Sequence, residues 1–222
     1  MAKFKKNGEQ KKEWRKAVKS AMLKATERES KERLGDIEPS FNYRWEHVVS
    51  VVKLSTKLAR LTGADVEVVE AAAWLHDVRK EARGDHPKEG AKFARKLLTQ
   101  TDFPSSKIEH VAKCIEQHMG LWRDKPLTDL ESMVLWDADK LAKIGLTAAF
   151  HWTGGALAGS KLRDMNDLIE RARSVDWHQK TVASMHTKPA RRAARARLKD
   201  YNALWHELEA ELKGDDLFNK SK

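Results

Sequence analysis

Two histidines and two aspartates at set distances carry the chemistry this sequence offers. His76-Asp77 closes the run Ala-Ala-Ala-Trp-Leu-His-Asp (71–77). His47 lies 29 residues upstream in Arg-Trp-Glu-His (44–47), and Asp137-Ala-Asp139-Lys140 begins 60 residues downstream. Such a nitrogen/oxygen set suits a divalent ion such as Mn²⁺, Fe²⁺, Co²⁺, Ni²⁺ or Zn²⁺. With nine histidines and a single cysteine, a metal site here is built from imidazole and carboxylate. Each residue alone has a plainer reading, a rim histidine or a salt-bridged helical turn. Their combination tips the balance. His76 and Asp77 follow ten residues of buried-helix pattern, where ionisable groups cost stability unless a partner compensates them. Asp137 and Asp139 likewise emerge from Met133-Val134-Leu135-Trp136, and a compact divalent charge neutralises clustered carboxylates well.

The elements that must position these groups read as helices. Residues 9–34 lack Gly and Pro, with Trp14, Val18, Ala21, Met22 and Ala25 as a narrow apolar stripe. A helix is predicted over 43–62, facing Val48, Val51, Val52, Ser55, Leu58 and Ala59 inward and stopping at Gly63. Asp65 can cap a third helix, apolar almost all round and therefore central, with His76 and Asp77 at its end. Further helices are expected over 88–99, 106–118, from about 128 past Lys140, 160–184 and 189–213. Asp36–Asn42 reads as a linker, and the surroundings of Gly154-Gly155 and Gly159 as a loose connection. No period-2 strand run, internal repeat or low-complexity block occurs. The fold class is all-α.

At 222 residues the chain can bury a real core. It has no apolar stretch long enough to span a bilayer and no secretory h-region. One cysteine, Cys114, excludes an intramolecular disulfide and fits a reducing cytoplasm. The net charge of +10 favours anionic partners such as nucleotides, phosphoesters or nucleic acid. Residues 1–36 hold twelve Lys/Arg against six Asp/Glu; with acids interleaved throughout, a solvated mixed-charge helix is favoured over a nucleic-acid arm.

His47, His76-Asp77 and Asp139, in this order and spacing, resemble the HD-domain superfamily of metal-dependent phosphohydrolases. Asp-His-Pro-Lys-Glu-Gly-Ala (85–91), Ile-Glu-Gln-His (115–118), Leu-Glu (130–131), Asp-Ala-Asp-Lys-Leu (137–141), Met185-His-Thr and Ala-Ala-Arg-Ala-Arg (193–197) are similar to its small single-domain prokaryotic members. The resemblance covers about 41–213 and implies an HD-type helical bundle. The expected layout is a basic helical extension over 1–36 and the HD-type domain over 37–222, with a core at 41–150 and C-terminal helices at 160–213. It implies His47, His76, Asp77 and Asp139 as metal ligands, with Asp137 orienting a ligand or a water. It implies His86 and His118 as phosphate contacts, proton donors or holders of a second ion, while His110 reads as surface. Lys80 beside the ligands is a catalytic candidate, and Lys140 a substrate-binding one. Ala142 stands where relatives often carry Asp, and Phe150-His151 where a basic residue is common, so substrate identity is not inherited.

The expected function is metal-dependent hydrolysis of a nucleotide or similar small phosphoester or pyrophosphate, with Mn²⁺ the first choice of cofactor and Mg²⁺, Fe²⁺, Co²⁺, Ni²⁺ or Zn²⁺ as others. The runner-up enzyme is a two-metal phosphodiesterase or dinucleotide hydrolase. The rival from another class is a non-catalytic HD scaffold that binds nucleic acid through its basic ends, residues 1–36 and Lys188–Lys199. A membrane partner is not expected. Homodimerisation is suggested by tryptophans on polar helices (Trp14, Trp122, Trp152, Trp205).

Overall fold

The structure, a computed structural model, describes residues 12–34, 42–158, 163–174 and 176–218. The linker expected over 36–41 and Gly159 lie outside the described residues. The chain folds into ten α-helices among the described residues, with no strand beyond an isolated bridge between Lys12 and Thr101. They are α1 (Trp14–Leu34), α2 (Tyr43–Thr62), α3 (Val66–Leu75), α4 (His86–Leu98), α5 (Ile108–Gln117), α6 (Leu130–Leu141), α7 (Leu146–Ala158), α8 (Met165–Arg173), α9 (Trp177–Ala183) and α10 (Lys188–Lys213).

Capping chemistry sets the boundaries. Asn42 accepts the Trp45 N–H at the start of α2, and Gly63 ends that helix in the left-handed region at φ 78°. Asp65 accepts the Glu67 and Val68 N–H groups and so starts α3. Pro87 sits in the first turn of α4, where its missing donor costs nothing. Asp129 opens α6 by accepting the Ser132 N–H.

Helix α3 is the central element. It packs on α1, α2, α4, α5 and α6, and Val68, Val69, Ala71, Ala72, Ala73 and Leu75 are buried. Its alanines let neighbouring helices approach closely, so groups carried at its end lie deep in the bundle. Gly90 serves the same purpose in α4: a Cβ there would stand 3.2 Å from Ile115 and 3.7 Å from the His76 carbonyl oxygen.

Helix α1 shares this core rather than hanging from it, since Trp14, Val18, Met22 and Ala25 are buried in the same cluster. The Trp14 ring packs edge-on against Phe103 at 5.1 Å, and the Trp14 backbone N–H donates to the Asp102 carboxylate. Trp205 packs with Tyr201 in a smaller cluster that joins α7, α8 and α10. Two of the tryptophans that suggested self-association are therefore spent within the chain, while Trp122 is 43% exposed.

Three expectations change. The supposed loose connection around Gly154-Gly155 is helical, within α7; two glycines cost a helix about 1 kcal/mol each relative to Ala, and α7 is held through Ala149, buried against α8 and α10. The single helix expected over 160–184 is two, because Asp164 caps α8 and Ser174 ends it before α9 begins. Helix α4 starts at His86 rather than residue 88, which gives His86 a fixed place.

Candidate metal centre

The end of α3 does not run on as helix. Residues 76–79 turn, and a 3-10 segment over Lys80–Asp85 leads into α4. This break lets adjacent side chains face one centre, which consecutive residues of a regular helix, about 100° apart, cannot do. His47 reaches it from the first turns of α2, His118 from the end of α5, and Asp139 from α6.

Two groups of ligand atoms form there. Those of His47, His76 and Asp139 lie within 4.8 Å of one another, and so do those of Asp77, His86 and His118; all six residues are buried. His47 Nε2 stands 3.1 Å from Asp139 Oδ1, and His76 Nε2 is 3.9 Å from the same oxygen. Asp77 lies between the groups. Its Oδ2 is 3.7 Å from His76 Nε2, and its Oδ1 is 3.5 Å from His86 Nε2 and 3.6 Å from His118 Nε2.

Backbone contacts set the imidazole tautomers. His76, His86 and His118 each direct Nδ1 at the carbonyl oxygen three residues earlier, those of Ala73, Arg83 and Ile115. A carbonyl only accepts, so Nδ1 carries the proton and a neutral ring turns an Nε2 lone pair to the centre. Arg83 holds φ 51°, ψ −115°, a conformation side chains rarely adopt, in order to present its carbonyl to His86. The Nε2 atoms of His86 and His118 then face each other at 3.2 Å. His47 Nε2 and His76 Nε2 are buried without a hydrogen-bond partner. Lone pairs that face each other or lack a donor are costly in an apolar interior, and a cation satisfies both arrangements. The residues present therefore fit a divalent ion.

The protonation states agree. Burial pushes the His76 imidazole down to about 3 and lowers His47 and His86 as well, which leaves them neutral, as ligands must be. Burial alone would raise Asp77, but its polar surroundings, with the Lys80 and Arg44 cations beside it, hold its carboxyl well below the usual carboxylate range. Against the same burial, Lys140, Lys143 and His47 hold Asp139 well below it too.

Cations surround the centre. Lys80 Nζ is 3.1 Å from Asp77 Oδ1 and 3.3 Å from His86 Nε2. Lys140 is buried; its ammonium donates to the His118 carbonyl at 2.9 Å and to Asp139, and burial lowers it to about 8. Two cations were not singled out from the sequence. Arg44 Nη1 lies 2.7 Å from Asp77 Oδ2 while its other nitrogens grip Glu29 of α1. Lys143, 26% exposed, lies 2.6 Å from Asp139 Oδ1. Their spacing is the signal that could have found them: Arg44 precedes His47 by one helical turn, and Lys143 follows Asp139 by one.

Asp137 faces elsewhere. Two residues along a helix turn a side chain by about 200°, so Asp137 points to the α9–α10 turn and accepts from the His186 N–H at 2.9 Å and from the Thr187 N–H and hydroxyl, each at 2.8 Å. It anchors the C-terminal helices. His110, about one-third exposed, sits with Cys114 and Asp129 in a third group. There Asp129 is already spent on the α6 cap, His110 and Lys113.

An all-α bundle that carries His on α2, His-Asp at the end of α3 and Asp on α6 is the arrangement the sequence resemblance implies, and the comparisons agree with its fold. Residues 44–144 match the HD domain. Among solved structures the chain is similar to a predicted HD superfamily hydrolase from an uncultured Thermotogales bacterium, with TM-score 0.63 and 21% identity over 89% of this chain and 92% of the other. It is also similar to Bacillus subtilis YpgQ in complex with ADP, with TM-score 0.62 and 20% identity over 89% and 98%. Ribonuclease Y of Rubrobacter xylanophilus is 28% identical over 134 residues, which are 59% of this chain and 24% of that protein. The chain thus spans about a quarter of that curated relative's length.

Proposed function

We propose that this chain is a metal-dependent phosphohydrolase acting on a nucleotide or a closely similar small phosphoester or pyrophosphate. The observation that carries the reading is the buried convergence of His47 Nε2, His76 Nε2 and Asp139, with His76 Nε2 lacking a hydrogen-bond partner. His47, His76, Asp77 and Asp139 would hold a divalent ion, with Mn²⁺ the first choice for a set of two nitrogens and two carboxylates. When bound, such an ion supplies Lewis acidity toward a phosphoryl oxygen and lowers the pKa of water from 15.7 toward ~7.

The chain's own residues supply the rest. Lys80 is 33% exposed and Lys143 26%, so both can turn toward phosphoryl oxygens and stabilise their charge, while Arg44 is held between Glu29 and Asp77. Lys140 is fully enclosed, so its role is to hold Asp139 and the end of α5 in place rather than to meet substrate. His86 and His118, whose Nε2 atoms carry lone pairs, would hold a second ion or accept a proton near the phosphate rather than donate one. YpgQ, similar in fold, holds ADP, which supports a nucleotide as substrate. A reducing, cytoplasmic setting accords with the single buried cysteine.

A second reading has its own observation. Asp77, His86 and His118 form a complete second group, with two lone pairs 3.2 Å apart. Two ions, with Asp77 between them, would make the enzyme a two-metal phosphodiesterase or dinucleotide hydrolase. The discriminating measurement is phosphate release from a nucleotide panel with added Mn²⁺, together with metal content. The proposal expects turnover that His76→Ala abolishes. Two equivalents in the native chain, one of them lost in His118→Ala, would select the two-metal form. No release from any nucleotide or dinucleotide, with identical metal content in His76→Ala, would refute both.

A further inference from the structure

We propose that the outer face of the first half of α10 is a docking surface for the phosphate backbone of a nucleic-acid duplex. Residues 188–199 carry six cations, Lys188, Arg191, Arg192, Arg195, Arg197 and Lys199, and no acid. At 3.6 residues per turn, Lys188, Arg192, Arg195 and Lys199 follow one another at four, three and four residues and fall on a single stripe. Arg191 flanks it. All five side chains are exposed, whereas Ala190 and Ala194, on the opposite side, are buried in the core. Arg197 also lies opposite the stripe and points inward, where its guanidinium donates to the Leu141 carbonyl at the end of α6.

Many cations elsewhere on the surface are paired, although among the described residues the exposed Lys53, Lys57 and Arg60 of α2 form a shorter run without carboxylates. Arg15, Arg28, Arg79, Arg95, Lys107 and Lys180 each meet a carboxylate. Among the described residues, none of the four stripe cations has an acidic partner. Arg191 donates only to the His186 carbonyl, at 2.7 Å. Lysines and arginines left without carboxylates along one line form a field rather than a fold-stabilising network. The positive end of the α10 dipole lies at the same end and adds to it. Helix α1, equally rich in cations, carries Glu27, Glu29 and Glu32 among them and presents no such line.

Size and chemistry select the partner. From Lys188 to Lys199 the helix rises eleven times, about 17 Å, the axial length of about five successive phosphates on one strand. The stripe bears no aromatic side chain, so it offers no platform for stacking unpaired bases. It fits a backbone whose bases are already paired, read through charge alone. Small phosphoester hydrolysis does not require this surface, so the inference stands apart from the reading of the metal centre.

Titration of labelled DNA and RNA duplexes of random sequence against the full chain over a range of salt concentrations tests it. Binding should fall steeply with salt, and DNA against RNA shows which duplex is preferred. Arg192→Gln/Arg195→Gln/Lys199→Gln should make the log–log slope on DNA shallower by about 2.7, at about 0.9 per lost phosphate contact, with phosphate release from small nucleotides unchanged. Lys19→Gln/Lys24→Gln in α1 is the control and should leave the slope as it is. Equal losses in both variants, no duplex binding, or binding that ignores salt would overturn the proposal. So would affinity for a single strand or for phosphatidylserine vesicles that matches or exceeds affinity for the duplex.

Discussion

An imidazole binds a divalent ion only through an unprotonated nitrogen, and here three backbone carbonyls decide which nitrogen that is. Because Ala73, Arg83 and Ile115 take the Nδ1 protons, His76, His86 and His118 need no rearrangement to act as ligands. The opposite case is Cys114. Burial first, and then the carboxylates of Asp129 and Glu131, push its thiol up to about 12, so at neutral pH it stays protonated and unreactive. Alkylation at pH 8 should leave Cys114 unmodified in the native chain and modify it fully in denaturant. Rapid native modification, read by mass spectrometry, would mean that the α5–α6 interface opens. His76 and Asp77 were legible from residue types alone, since two ionisable groups ending an apolar helix require a partner. Lys140 was not. A lysine next to an aspartate reads the same whether it reaches solvent or, as here, turns inward to a carbonyl.

At the scale of elements, single carboxylates hold the helices that carry the site. Asp129 accepts the Ser132 N–H and hydroxyl and meets His110 and Lys113. Burial would raise its carboxyl, yet these contacts hold it far below the usual carboxylate range. The stability it contributes is therefore complete above the ordinary carboxylate value near 4 and is lost as pH falls through that value toward its lower, folded one. Asp129→Ala should cost about 1–2 kcal/mol at neutral pH, and the difference from the native chain should shrink on acidification in denaturant melts. A gap that stayed constant down to pH 2 would exclude this origin. Asp137 makes a sharper test, since its removal leaves the donors of His186 and Thr187 buried without an acceptor. Asp137→Ala should lose about 3 kcal/mol of stability while keeping its divalent metal; metal loss without destabilisation would instead make it a ligand. The helices α2, α3, α6 and α10 were legible from periodicity and caps. Helix α7 was not, because its two glycines read as a break and the contact of Ala149 with α8 and α10 that holds it is a tertiary one, and the 160–184 break depends on a cap at Asp164 that looks like any surface aspartate.

The whole molecule is a bundle whose least polar helix ends at its most polar point. Helix α3 brings His76 and Asp77 to the centre, α2, α5 and α6 bring His47, His118 and Asp139, and α1 braces the same centre through Glu29 and Arg44. An ion that neutralises this cluster binds the folded chain in preference to the unfolded one, so it should stabilise by about 2.7 kcal/mol at a free concentration of 100 Kd. Chelation should then lower the melting temperature, and added Mn²⁺ should restore it, in the native chain but not in His76→Ala. The central claim is that His47, His76 and Asp139 hold a divalent cation, and anomalous diffraction from crystals soaked in Mn²⁺ tests it most directly. The account predicts a manganese peak within bonding distance of His47 Nε2, His76 Nε2 and an Asp139 oxygen. Peaks confined to surface carboxylates, with none among these three side chains, would contradict it.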